Sequence, residues 1–241
     1  MGHSAKYGTY SMFCSPIDKI VHFELIQSNE SGGSNQMELD GAKRCFSFLE
    51  KAGITVKKFI SDRHAGIAKW VRESRPQTNH FYDIWHVARS TTKKFLKADK
   101  EKGCEGIVRW IKGVRKHLYW CATSTQEGFG EMILAKWRSF KNHVANRHEG
   151  HANKLFPQCA HDELETPREW IKIGTPAFDK VQQIIGDTRL ESGIKKLSPN
   201  AQTSCLEDFH ATLNHWHPKM LCFSWLGSYC RQVTYHVINQ L

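Results

Sequence analysis

The stretch "ISDRHAGIAKW", residues 60–70, decides how the rest of this chain is read. The run Val56–Ile60, apolar apart from two lysines, gives way to Asp62, and a helical pattern follows at once. We place a strand over 54–61 and a helix over 63–74, with Ile67, Trp70 and Val71 facing inward. A carboxylate at the tip of a strand has two readings. It caps the helix that follows, since a side-chain oxygen there accepts an otherwise orphaned amide, or it holds a metal ion at the rim of a sheet. Local sequence leaves both open.

Upstream, Tyr7–Phe13 has strand character, and "KIVHFELIQ", 19–27, alternates with the period of two expected of a half-buried strand. "SPID" between them is a turn, with Pro16 fixing its backbone. A polar, glycine-rich loop leads to a helix over 37–53 that sets Ala42, Cys45, Phe46 and Leu49 on one face and has Gly53 at its C-terminal cap. Downstream, "NHFYDIWHV" is a strand running into a helix. This order of strands and helices is that of a mixed α/β domain.

From about residue 89 the character changes. Residues 89–120 carry ten Lys or Arg against three acids. Ile107, Trp110, Ile111, Val114 and Leu118 follow a 3.6-residue period, with Arg109, Lys112 and Lys116 as a basic stripe beside them. Further helices are expected over 129–148 and 176–196, with Thr166-Pro167 and Thr175-Pro176 as helix starts. The expected organisation is a core over 1–88, a mostly helical insertion over 89–198, and a return to the core over 199–241. That last part opens with a helix over 203–216, capped by Thr203 or Ser204. One stripe of it is apolar (Leu206, Phe209, Leu213, Trp216) and another carries Glu207, His210, Asn214 and His217. A final helix spans 223–238.

Bulk properties narrow the function classes. The net charge is +10, which favours polyanionic partners, nucleic acid first. No apolar stretch reaches the roughly 18 residues that cross a membrane, and no signal-peptide core opens the sequence, so no membrane association is expected. Eight cysteines lie scattered without a CxxC pair, the pattern of a reduced intracellular protein.

Two constellations carry chemistry. Two-metal phosphoryl transfer needs carboxylates that hold divalent cations about 3.5–4 Å apart, and Asp62 with Glu207 supply two such groups, bridged by the insertion. Against this stands Glu207 as a first-turn acid favoured by the helix dipole. The second constellation is "NHVANRHEGHANKLFPQCAH", in which His143, His148, Cys159 and His161 offer four donors to a structural zinc within nineteen residues, with His151 as the bystander. The alternative is a histidine-rich helix end with surface imidazoles. The basic stripe likewise reads either as a grip on DNA phosphates or as a solvated helix face.

Six segments in order, "GHSAKYGTY", "QSNESGGSNQME", "SDRHAGIAKWVRES", "FYDIWHVARSTTKKF", "KKLSPNAQTSCLEDFH" and "PKMLCF", resemble a group of animal transposase-derived proteins. That group is similar to DDE transposases with a ribonuclease H-like core, in the neighbourhood of the Mutator lineage. The resemblance implies a ribonuclease H-like mixed sheet interrupted by the helical insertion, Mg²⁺ or Mn²⁺ as cofactor and DNA as partner; a homo-oligomer is a further candidate partner, and nuclear residence follows from the expected DNA substrate and the basic charge. The resemblance makes Asp62 the second catalytic acid and Glu207 the third, with Asp83 and His86 as supporting residues; His210, one turn after Glu207, is a further supporting candidate by its position on the helix. In the family's pattern the first acid precedes the segment that here begins at Gly2. Asp18 and Asp40, the nearest acids, lie in a turn and on a helix, so the first strand and its acid are expected to be absent and the chain inactive in DNA cleavage. The alternative function is a non-enzymatic DNA- or protein-binding module that kept the fold.

Overall fold

The polar break at Ser15–Asp18 folds the first two strands onto each other. In the computed structural model, which describes residues 6–162, 164, 168–198, 204–216, 221 and 223–238, β1 (Tyr7–Cys14) and β2 (Lys19–Gln27) pair antiparallel from Tyr7↔Gln27 to Cys14↔Lys19. Pro16 lies in the 3₁₀ turn Ser15–Ile17 between them, and Asp18 closes the turn in the left-handed region at φ 53°. The register slips after Met12, a bulge that adds one residue to β2. Helix α1 (Met37–Lys51) lies against this hairpin and buries Ala42, Cys45, Phe46 and Leu49, the face the periodicity predicts. Its Gly41 permits the approach, since a Cβ there would stand 2.5 Å from Tyr10 Cβ. Gly53, at φ 76°, follows the end of α1 as expected.

Next come β3 (Lys58–Ser61), α2 (Ala65–Ser74) and β4 (Asn79–Tyr82). Asn79 N donates to Lys57 O and Asp83 N to Ser61 O, each acceptor the same distance back along the chain, so the two strands run parallel around the α2 crossover. β3 is shorter than the sequence suggests. Ile54 to Lys57 stay outside β3, with Ile54 exposed, because β4 offers only four residues to pair with. As expected, "NHFYDIWHV" is a strand running into a helix: β4 ends at Tyr82 and Asp83 caps α3 (Ile84–Ala98). The architecture is mixed α/β, but among the described residues the strands form two separate pairs, β1–β2 and β3–β4, where one mixed sheet was expected.

The chain divides into two units. The first takes residues up to Phe59, His64–His80 and Thr203 onward; the second takes Ile60–Arg63 and Phe81–Gln202. The division after residue 80 thus precedes the expected one at 88/89, which falls inside α3. In the first unit, Met12, Phe59, Ile67 and Val71 join the buried face of α1. Helices α8 (Ser204–Trp216) and α9 (Trp225–Ile238) belong to this unit, and α9 is tied to β1 by Gln232 Nε2 donating to Thr9 Oγ1 at 2.6 Å.

The second unit is helical, as the period-3.6 pattern requires. A 3₁₀ turn at Ile107–Trp110 leads into α4 (Ile111–Thr123), and α5 (Gly130–His143), α6 (Pro176–Ile185) and α7 (Thr188–Ile194) follow. The single helix expected over 176–196 is two, because Asp187 after Gly186 caps α7 by accepting from Leu190 N at 2.8 Å. Trp137 fills the core and donates from Nε1 to Ile185 O at 3.0 Å. Leu197 pairs with Tyr82 in an isolated parallel bridge. Thr166-Pro167, the Thr203 cap and His217 lie outside the described residues. Among the described residues no helix is long and apolar enough to cross a membrane.

Candidate metal centres

Asp62 follows β3, and its alternative role as a helix cap is overturned. The cap of α2 is His64, whose Nδ1 accepts from Ile67 N at 3.2 Å. Asp62 turns instead to α3 within the second unit, where its Oδ1 meets His86 Nε2 at 2.8 Å. Asp83, at the end of β4, is wholly buried and caps α3, one oxygen accepting from Trp85 N at 2.8 Å. One ligand atom from each of Asp62, Asp83 and His86 lies within 4.8 Å of the others. Parallel pairing causes this convergence. Strands that advance together end at the same edge, so the residues just past Ser61 and Tyr82 are neighbours. Two carboxylates suit a hard cation such as Mg²⁺, which binds oxygen at about 2.0–2.1 Å. The imidazole suits the task of fixing one carboxylate by hydrogen bond.

Glu207 belongs to the other unit, partly buried in the first turn of α8. One turn on, His210 Nε2 lies 3.1 Å from the hydroxyl of Ser11 on β1.

The four donors named from the sequence of the second constellation do come together: one ligand atom from each of His143, His148, Cys159 and His161 lies within 4.8 Å of the others. His143 ends α5, and the other three stand on the irregular segment that follows. That segment is pinned back on itself, with Cys159 N donating to His148 O and His151 N to Pro157 O. His143 Nδ1 is 3.2 Å from His161 Nε2 and 3.9 Å from Cys159 Sγ. A tetrahedral zinc with ordinary bond lengths has N···N edges of about 3.3 Å and N···S edges of about 3.6 Å.

The hydrogen bonds fix which nitrogens face inward. His161 Nδ1 meets the Asp162 carbonyl at 2.8 Å, so that nitrogen carries the proton and Nε2 presents a lone pair to His143. His148 Nε2 meets Asn146 Oδ1 at 3.0 Å, which likewise leaves a lone pair on Nδ1, and that atom is buried with no hydrogen-bond partner. A ligating imidazole ordinarily donates its other N–H to an oxygen in this way. Burial first, then the imidazoles of His148 and His161, push the His143 pKa down to about 3. Burial likewise lowers His148 and raises the Cys159 thiol. The lone pairs of His148 Nδ1 and His161 Nε2 thus face the pocket, where a metal is better tolerated than several protons.

The basic stripe is exposed as expected. Lys112 and Lys116 lie one turn apart on α4, and Arg109 in the preceding 3₁₀ turn is paired with Glu169. Comparison with protein-family models, curated proteins and solved structures gives no match for this chain.

Two features escaped the sequence. His64 as the cap of α2 was hidden because Asp62 is the stronger cap by residue type. The engagement of His151 with the cysteine–histidine cluster depends on partners that only the fold assembles.

Proposed function

We propose that this chain is the ribonuclease H-like core of a transposase-derived protein that binds DNA and carries a divalent cation on Asp62. The observation that supports it most is the meeting of Asp62, Asp83 and His86 beyond two parallel strands. Phosphodiester chemistry of this class needs acids at adjacent strand ends, and Asp62 and Asp83 are such acids, with His86 holding Asp62. The resemblance makes Glu207 an acid of the same chemistry, while the proposed cation site rests on Asp62, Asp83 and His86 alone. The exposed lysines of α4 and Arg109 supply the phosphate contacts, in keeping with a net charge of +10.

In the same reading, the cysteine–histidine cluster holds zinc as a structural staple. Three imidazoles and one thiolate are borderline-soft donors that exclude Mg²⁺ and suit zinc. The segment that zinc would pin, from Val144 to Thr175, has no regular element among its described residues, and a loop of that length inside a packed unit needs an anchor.

Titration of the chain with Mn²⁺, followed by electron paramagnetic resonance, tests the first site. Asp62→Asn is expected to weaken binding at least about tenfold, as losing a charged ligand does. Unchanged Mn²⁺ affinity in that variant would overturn the reading. Incubation with labelled DNA separates the two functional classes: Asp62-dependent cleavage marks an enzyme, and salt-sensitive binding without cleavage marks a binding module.

A further inference from the structure

His151 is placed to do more than fill space beside the cluster. It is buried, and its Nε2 lies 3.4 Å from Cys159 Sγ while its Nδ1 lies 2.9 Å from Asn142 Nδ2. An amide nitrogen only donates, so Asn142 requires a lone pair on Nδ1. The proton of the neutral ring therefore sits on Nε2, aimed at sulfur. Asn142 in turn is the penultimate residue of α5, next to the ligand His143, so the orienting group and a ligand share one rigid turn. Phe156 stacks over the His151 ring at 6.0 Å with planes 20° apart, which holds the ring in this orientation.

We infer that His151, oriented by Asn142, is a positioning residue that donates an N–H···S hydrogen bond to the Cys159 thiolate when the cluster holds zinc. The inference rests on zinc occupying the cluster. Cys159 is the sole thiolate among the four ligands, hence the most charged and most nucleophilic of them. A donor on its sulfur withdraws electron density, disfavours protonation of the bound thiolate and slows its attack on electrophiles. The arrangement makes zinc retention depend on a residue that never touches the metal.

The test uses the full chain purified without a metal-affinity tag. Zinc is counted by mass spectrometry, and Co²⁺ is exchanged in so that the thiolate-to-cobalt charge-transfer band reports on the sulfur. The wild type is expected to carry one zinc per chain. His151→Phe keeps the ring against Phe156 but removes the donor. We expect its charge-transfer band to move to longer wavelength, its zinc affinity to fall about 10–100-fold, and alkylation at Cys159 to accelerate. His151→Gln, whose amide nitrogen reaches toward the Nε2 position, is expected to restore the band. Asn142→Ala, which releases the ring's orientation, is expected to shift it in the same direction as His151→Phe. A cobalt-loaded His151→Phe protein with an unmoved band would overturn the role of His151 while leaving the zinc staple standing. Wild-type protein that binds neither metal would overturn both.

Discussion

Asp83 both caps a helix and lines the proposed cation site, and replacing it in two ways separates the two roles. Its side chain is wholly buried and caps α3, whose inner face of Ile84, Val87, Ala88 and Phe95 belongs to the core of its unit. Asp83→Ala removes the acceptor for Trp85 N. An ordinary cap loss costs about 1 kcal/mol, but here no water replaces the carboxylate, and a buried donor left unpaired costs about 1–3 kcal/mol. A loss of about 2–3 kcal/mol is expected, which at about 2–4 °C per kcal/mol for a chain of this size lowers the melting temperature by about 5–10 °C. Asn retains an oxygen for the cap and removes the charge, so Asp83→Asn should melt within about 3 °C of the wild type without metal. Saturating Mn²⁺ at a hundred times its dissociation constant stabilises a binding fold by about 2.7 kcal/mol. The wild type should gain that increment and Asp83→Asn should lose most of it. Thermal unfolding followed by circular dichroism, with and without Mn²⁺, reads both quantities. If the Asn variant is as unstable as the Ala variant, the cap is not what Asp83 supplies. If it keeps the full Mn²⁺ increment, Asp83 is not a cation ligand.

Three further outcomes follow from the geometry. Gly41→Ala, which in an open helix gains about 1 kcal/mol, should instead destabilise the first unit by about 1–3 kcal/mol in urea unfolding, because the new Cβ would meet Tyr10 Cβ at 2.5 Å and Ile26 Cδ1 at 2.9 Å. Burial holds the His117 pKa down at about 4, below its ordinary 6.5. The unfolded chain takes up this proton first as pH falls, so stability is complete above about pH 7 and declines through the window from 6.5 to 4 by on the order of 3 kcal/mol; His117→Gln should flatten that acid limb in denaturant titrations. Replacing Lys112 and Lys116 together by Ala should reduce the slope of log affinity for duplex DNA against log salt by about 1.8, and an unchanged slope would remove α4 from the interface.

Several elements were legible because their signals were local. The two strands of the hairpin, the Pro16 turn and the inner face of α1 follow from alternation, a fixed φ and a 3.6-residue period, none of which needs a distant partner. The cysteine–histidine cluster was legible because its four donors fall within nineteen residues, too few for intervening structure to scatter them. What the sequence hid depends on partners. The length of β3 is set by the four residues of β4, not by the apolar run that begins at Ile54. In "NHFYDIWHV" Asp83 gave a sign of the break from strand to helix, but not that it caps α3 by accepting from Trp85 N. Asp187 carried a similar sign after Gly186, but the apolar pattern on both sides read as one continuous helix.

The first unit is assembled from both ends of the chain, and this sets an order of events during synthesis. Thr9 on β1 accepts a hydrogen bond from Gln232, 223 residues later, and Ser11 meets His210, 199 residues later. At about 5–20 residues per second, the nascent hairpin waits on the order of ten to forty seconds for α8 and α9 to leave the ribosome. The second unit, whose helices close contacts between near neighbours in sequence, completes itself within that interval. Until then Thr9, Ser11 and Phe23 of the hairpin lack the partners that α8 and α9 bring, the state in which a chaperone is most needed and in which a premature stop codon would leave an aggregation-prone stub.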